Sequence, residues 1–226
     1  MKKWFSGIIA LFTALACTPG MSKESAPAAE KYHEGLHYQR IEPAVETRAG
    51  DDRVEVVELF LYACPHCYHL EPKLEQWLKG KSDYVELRRI PAIVGPPWAE
   101  QAKVFYTAEK LGILDKAHGA LFKSIHEDGK QYADERSVME FFVGQGVKPE
   151  DFFAAYNSPE VAEKVSQARV MTVKYGIRGV PAIIVNGKYR TAQYYTGNQK
   201  ALLEVVDMLV EKERAETTGK PKTDPQ

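Results

Sequence analysis

The sequence predicts an α/β fold in which a helical block separates the two halves of a single sheet domain. Three observations lead there. Val56, Val57, Leu59, Phe60 and Leu61 form a near-continuous apolar run, the mark of a strand buried on both faces, and helical spacing begins directly after it. Between Trp98 and Tyr175 only helical spacings recur. Pro181 to Val185 then reads as a late strand, followed by the hairpin signal Asn186-Gly187 and an amphipathic helix.

The chain begins with Lys2 and Lys3, an apolar run from Trp4 to Ala16, and Ala14-Leu15-Ala16 at its end. This reads as a secretory signal, since the run falls short of the roughly 20 residues that span a membrane. Cys17 follows directly, and small residues before a cysteine resemble the site at which bacterial lipoproteins are cut and acylated. The match is imperfect, with Ala14 where leucine is commonest and Leu15 where a small residue is commonest. Cys17 is therefore a possible lipidation site, and simple cleavage after Ala16 or nearer Ala26 to Ala29 is the alternative. The polar stretch after it would serve as a tether.

Tyr38 to Ile41 reads as a short edge strand, and Pro43 with Ala49-Gly50-Asp51-Asp52 turns the chain into the central strand. Tyr68, Leu70, Leu74, Trp77 and Leu78 then recur at helical spacing, which places Cys64 at the cap of a helix and Pro65 at its first position. Tyr84 to Ile90 is a second strand, ending at Pro91. Helices follow on Trp98, Ala102 and Phe105; on Leu114, Ala117, Leu121, Phe122 and Ile125; and on Val138, Phe141 and Phe142, with breaks at Gly112, Asp128-Gly129 and Gly144 to Gly146. Lys148 to Tyr156 adds a shorter piece. Ser158-Pro159 caps a long helix whose face carries Val161, Val165, Ala168 and Thr172 as far as Gly176. After the hairpin, Lys188-Tyr189-Arg190 is the return strand, and Leu202, Val206, Leu209 and Val210 form the last helix; from Glu213 the polar chain reads as unstructured.

The boundaries expected are a leader over 1–16, a tether over 17–36, a sheet domain formed by 37–94 and 176–213, a helical insertion over 95–175 and an unstructured tail over 214–226. With 30 basic and 31 acidic residues the charge is balanced, and nothing suggests a nucleic-acid partner. Of three cysteines, one lies in the leader region and two in Cys64-Pro65-His66-Cys67, so no structural bridge is expected.

A cysteine at a helix start is chemically distinct, because free backbone N–H groups and the positive end of the helix dipole favour its thiolate. His66 adds an ionisable group on the same turn and is expected to be the main side-chain influence on Cys64. A pair that prefers the reduced state is, when oxidised, a strong donor of its disulfide. Cys64 is expected to be the exposed nucleophile and Cys67 the buried resolving thiol. Zinc would need four ligands, and no second cysteine pair is present; His66 and His69 would crowd one turn and a half. A merely structural disulfide closing so short a loop stabilises weakly. Glu58 is the anomaly, a carboxylate inside an apolar strand; burial should raise its pKa, unless it pairs with a basic neighbour, for which Arg88 is the nearest candidate. His69, His118 and His126 read as surface or helix-face residues without a role.

The segment from Glu58 to Tyr68, with Pro-His between its cysteines, resembles the active site of the DsbA family of bacterial thiol:disulfide oxidoreductases. Arg178-Gly179-Val180-Pro181, with Asn186-Gly187-Lys188-Tyr189 after it, resembles that family's cis-proline loop. The resemblance implies a thioredoxin fold with an inserted all-helical domain. It further implies a cis bond before Pro181, and a backbone at Val180, beside Gly179, that pairs with an extended substrate peptide. An acid at the place of Glu58 would lie beneath the second cysteine and assist its proton transfers. The expected activity is donation of the Cys64–Cys67 disulfide to newly exported, reduced proteins in the periplasm, by a monomer that needs neither cofactor nor metal, with reoxidation by a DsbB-like membrane quinone reductase. A reductase or isomerase, and a non-enzymatic peptide-binding module, are the competing readings.

Overall fold

A computed structural model describes Met1 and residues 31–218 apart from 51 and 82. The leader and Cys17 therefore lie outside the described residues, as does everything after 218. The compact unit considered below begins at Tyr32.

Its elements in chain order are β1 (Gln39–Arg40), β2 (Val54–Phe60), α1 (Pro65–Leu78), β3 (Val85–Pro91), α2 (Pro96–Lys110), α3 (Leu114–His126), α4 (Glu135–Gly144), α5 (Pro149–Tyr156), α6 (Pro159–Lys174), β4 (Ala182–Val185), β5 (Tyr189–Ala192), the single turn α7 (Gln193–Thr196) and α8 (Gln199–Thr218). The sheet has the order β1-β5-β4-β2-β3, with β2 and β3 parallel and the other neighbours antiparallel. The parallel pair needs a crossover, and α1 supplies it. The long excursion through α2 to α6 returns the chain to the same sheet at β4.

β2 sits between β3 and β4 with all seven residues buried. Alternation then decides which layer each side chain meets. Val54 and Val56 pack with Leu70 and Leu74 of α1 and with Leu202, Val206 and Leu209 of α8. Val57 and Leu59 join a larger cluster that runs without interruption into α2, α3, α4, α5 and α6 through Phe105, Phe122, Phe142, Phe152 and Ala168. The sheet and the helical block thus share one apolar core, with Cys67 inside it. No helix among the described residues is long and apolar enough to cross a membrane.

The hairpin forms as its sequence demands. Asn186 and Gly187 adopt φ of 51° and 64°, the twist that a tight antiparallel connection requires. A side chain at Gly187 would stand 1.8 Å from the Val45 carbonyl oxygen, so only glycine fits. Ser158 caps α6 through Val161 N–H, and Asp134 caps α4 in a reciprocal box with Ser137.

Two expected boundaries are corrected. The tether does not reach 36, because Tyr32 is already buried, stands edge-on to His37 and donates its hydroxyl to Glu204. Nor does structure end at 213: α8 continues to Thr218, and Glu213 is buried, accepting from Asn186 Nδ2 and Lys188 Nζ at 2.6 Å each. Polar composition suggested an unstructured tail, whereas Glu213 is the acceptor that ties the last helix to the hairpin turn.

Candidate active site

Cys64 occupies the N-cap of α1 in an extended conformation and Pro65 takes the first helical position, losing no helical bond. Cys67, one turn on, is fully buried, while Cys64 is half-exposed; both are free thiols. The rings of Pro65 and His66 face solvent.

The two sulfurs are driven in opposite directions. Cys64 is lowered to about 6, first by the hydrogen bond from the Cys67 thiol, with burial opposing it, then by the N–H groups of Cys67 and His66, and last by the charge of His66. Cys67 is pushed far up, chiefly by burial, then by its bond to Cys64 and the nearby charges of Cys64 and Glu58. The expectation that His66 is the main influence on Cys64 is thus revised. The partner thiol and the helix start weigh more.

The late loop meets this pair. Cys64 Sγ lies 3.7 Å from the Val180 carbonyl oxygen, across 116 residues of chain, and the Val180–Pro181 bond is cis. Pro181 is buried and Gly179 half-buried, with the Tyr194 ring beside it. Cys64, Cys67, Val180 and Pro181 are therefore brought to one place.

Glu58 shares the α1 face of β2 with Val54 and Val56, and its charge reaches Cys67. It is fully buried, neither carboxylate oxygen has a hydrogen-bond partner, and its pKa is raised well above the carboxylate range, first by burial and then by the charge of Glu71. The basic neighbour is not Arg88. β2 and β3 run in register, so Glu58 stands opposite Arg89, whose Nε is 3.4 Å from Glu58 Oε2. Arg88 points to the other face, 3.5 Å from Glu55 and bonded to the Tyr175 hydroxyl. A shift of one residue along a strand changes the face, and sequence proximity could not choose between the two arginines.

Arg89 gives a two-pronged bond to Glu71 of α1 at 3.0 and 2.7 Å. Glu71 also accepts from His118 Nε2 at 2.9 Å, and His118 Nδ1 meets the Tyr62 hydroxyl at 2.8 Å. A carboxylate only accepts, so Nε2 carries the proton that meets Glu71. Burial works to raise Glu71, yet the bonds from His118 and Arg89 prevail and hold it down at about 2. The sequence reading left His118 on a helix face without a role; it is buried at the junction of α3 with α1.

Other groups that fix the site were also missed. Gln101 Oε1 accepts from Ala63 N–H at 2.9 Å, and His126 Nε2 lies 2.7 Å from the Tyr62 carbonyl, so α2 and α3 hold the connection that leads into Cys64. His126 stacks on Tyr68, with ring centres 4.9 Å apart. Gln199 donates to the His66 carbonyl at 2.8 Å. Each partner lies far along the chain, and no local motif marks it.

The arrangement is that of a dithiol able to exchange with other disulfides: an acidic, accessible sulfur backed by a buried thiol. Comparison with known proteins points the same way. Residues 55–203 match the family model of the DSBA-like thioredoxin domain. The thiol:disulfide interchange protein DsbA of Pseudomonas syringae pv. tomato is 39% identical over 84% of this chain and 89% of its own length. That of Azotobacter vinelandii is 36% identical over 95% of this chain and 99% of its own. The crystal structure of Pseudomonas aeruginosa DsbA superimposes with a TM-score of 0.78 at 35% identity, covering 84% of this chain and 98% of that one.

Proposed function

Since this chain belongs to the DsbA family and is a thiol:disulfide oxidoreductase with a thioredoxin fold and a helical insertion, we propose that it works in the oxidising direction, passing the Cys64–Cys67 disulfide to reduced proteins after export. The observation that carries this reading is the opposed displacement of the two thiols, Cys64 down to about 6 and Cys67 up. A thiolate stable at neutral pH stabilises the reduced protein, and what stabilises the reduced form makes the oxidised form a better oxidant.

The steps follow from the same groups. A substrate thiolate attacks the half-exposed Cys64 sulfur; the Cys64–Cys67 bond breaks, a mixed disulfide forms, and Cys67 takes up a proton. Glu58, whose carboxyl burial pushes well above the ordinary carboxylate range, would supply that proton. A second substrate thiolate then attacks the substrate sulfur of the mixed disulfide, and Cys64 leaves as a thiolate, which its low pKa favours. The substrate loses two electrons and gains a disulfide; the protein keeps both electrons as a dithiol. Val180 offers backbone at which an extended substrate segment adds as a strand, with Gly179 and Pro181 shaping that loop. A membrane quinone reductase of the DsbB kind would reoxidise the pair, and the disulfide itself is the only redox group the cycle requires.

The secretory signal read over residues 1–16 supports a periplasmic location, where disulfides persist, and acylation of Cys17 would add an anchor there. Mass spectrometry of the mature N-terminus distinguishes an acylated Cys17 from one removed with the leader. The direction of exchange is tested by equilibrating the protein with glutathione buffers. A pair that stays reduced only under strongly reducing poise would overturn the oxidase reading.

A further inference from the structure

A cavity of about 360 Å³ opens beside the dithiol, between the start of α2, α3, the α3–α4 connection and α4. Its volume falls in the range of sites that hold small ligands. The floor is apolar, with Val104, Leu121 and Val138 buried and Ile125 half-buried. Among the exposed residues of its lining, alongside Ala63, Gln131 and Ala133, the charged ones are Glu100, Asp134, Glu135 and Lys130, so acids outnumber the base three to one. Ala63 also belongs to the lining, and Ala63 directly precedes Cys64. One edge of the cavity is therefore formed by the residue next to the one whose sulfur a substrate thiol must reach. A chain held there by its cysteine spans roughly 7–14 Å in two to four residues. On the other flank of α1, the shallow opening lined by His66, His69, Lys73 and Lys200 has no acidic side chain in its lining, so the two flanks differ in sign.

We propose that this cavity is a substrate subsite, which takes one apolar side chain, best an aromatic ring, of the polypeptide held at Cys64 and favours Lys or Arg next to it. The inference rests on the reading that Cys64 receives the substrate thiol. An apolar floor open to water gains by being covered, and the carboxylates around it complement a basic neighbour of the buried ring. Exchange itself uses none of these groups. Their contribution is to decide which cysteine-bearing segments dwell at Cys64.

The test uses the full oxidised protein and two synthetic dithiol peptides, identical except for Phe-Lys or Ser-Ser placed two to four residues from each cysteine. Stopped-flow measurement of protein reduction is expected to be about tenfold faster with the Phe-Lys peptide, the scale of partial burial of one ring. Ala133→Trp, a change at an exposed residue of the lining, puts an indole into the space; it is expected to erase that preference and leave the Ser-Ser rate unchanged. Equal rates in the unmodified protein, or an undiminished preference in Ala133→Trp, overturn the subsite. Should that variant fail to fold, amide shifts decide: the Phe-Lys peptide with its cysteines replaced by Ser is expected to move Leu121, Ile125 and Val138, and shifts confined to other residues count against the proposal. Failure to oxidise either peptide refutes instead the reading of Cys64, and the amide shifts then still judge the subsite.

Discussion

Glu58 and Arg89 face each other across adjacent parallel strands, 3.4 Å apart, yet Arg89 spends its hydrogen bonds on Glu71 and leaves both oxygens of Glu58 without a partner. One cation thus serves two neighbouring buried acids unequally. Glu71 is held down at about 2, and Glu58 is pushed well above the ordinary carboxylate range, first by burial and then by the charge of Glu71. A neutral acid beside a buried thiol is a proton source; a charged one would oppose the thiolate that exchange must transiently form.

Glu58→Met should separate stability from activity. A group whose folded pKa is raised contributes stability that is fully present below its unfolded pKa and is lost as pH rises, so Glu58 costs most at neutral pH. Its replacement by an apolar side chain of similar size is expected to stabilise the protein by about 1–4 kcal/mol at pH 7 and by less at pH 4. The same variant should slow disulfide exchange. Thermal unfolding at the two pH values, with peptide oxidation kinetics, checks both; a variant as fast as the parent removes Glu58 from the proton transfer.

The reactivity of Cys64 provides a second check. In the reduced protein, alkylation is expected to fall away through pH about 6, and Cys67→Ala, which removes the largest stabiliser of the thiolate, should move that midpoint upward more than His66→Ser does. Reduced protein should also be more stable than oxidised protein at pH 7, since a depressed thiol pKa contributes stability that grows as pH rises from about 6 toward the unfolded value. A larger shift from His66→Ser would restore His66 as the leading influence.

Cys67→Ala should accumulate mixed disulfides between Cys64 and substrate proteins, formed when the Cys64 thiolate attacks a substrate disulfide and displaces one of its sulfurs, because no neighbouring thiol can then release Cys64 by closing the Cys64–Cys67 bond. Non-reducing gels of captured substrates read the outcome. Trapping by Cys64→Ala instead would reverse the roles.

How much of this was legible follows from the range over which each signal acts. The central strand, the capped helix with Cys64 and Pro65, and the turn at Asn186-Gly187 are local patterns, and each formed where its residues predict. The pairing of Glu58 was not, because it depends on strand register, which a single strand does not encode. His118, Gln101 and His126 were passed over for a related reason: each is an unremarkable polar residue on an amphipathic helix until the fold sets it against Glu71, Ala63 or Tyr62. Glu213 misled in the opposite way, since a polar segment was judged by composition while its acceptor was already committed to the hairpin.

Replacement of Glu213 should therefore act at a distance from its own helix. Glu213→Ala leaves the half-buried Lys188 and Asn186 without that acceptor beneath the turn, a loss of about 0.5–1.5 kcal/mol, with Glu216 still within reach of Lys188. Denaturant unfolding should show that loss with the exchange chemistry unaltered, since α8 meets the dithiol only at its other end, through Gln199 and the His66 carbonyl. Stability unchanged from the parent would return residues 214–218 to the status of a tail.

Glu71→Gln is expected to be the most damaging change near the site. The carboxylate, held at about 2, contributes stability that is present above its unfolded pKa and lost as pH falls through the folded value. In the parent this should appear as weakening between pH about 4.5 and about 2; in the variant that slope should shrink, from a stability at pH 7 already lower by about 3–5 kcal/mol, the scale for breaking a buried ion pair. Loss of the Glu71 charge also removes the second-largest cause that raises Glu58. Glu58, left facing Arg89, should then ionise at lower pH, and the pH dependence of exchange should move down with it. A pH–rate profile that coincides with that of the parent would show that the two acids are not linked through Arg89.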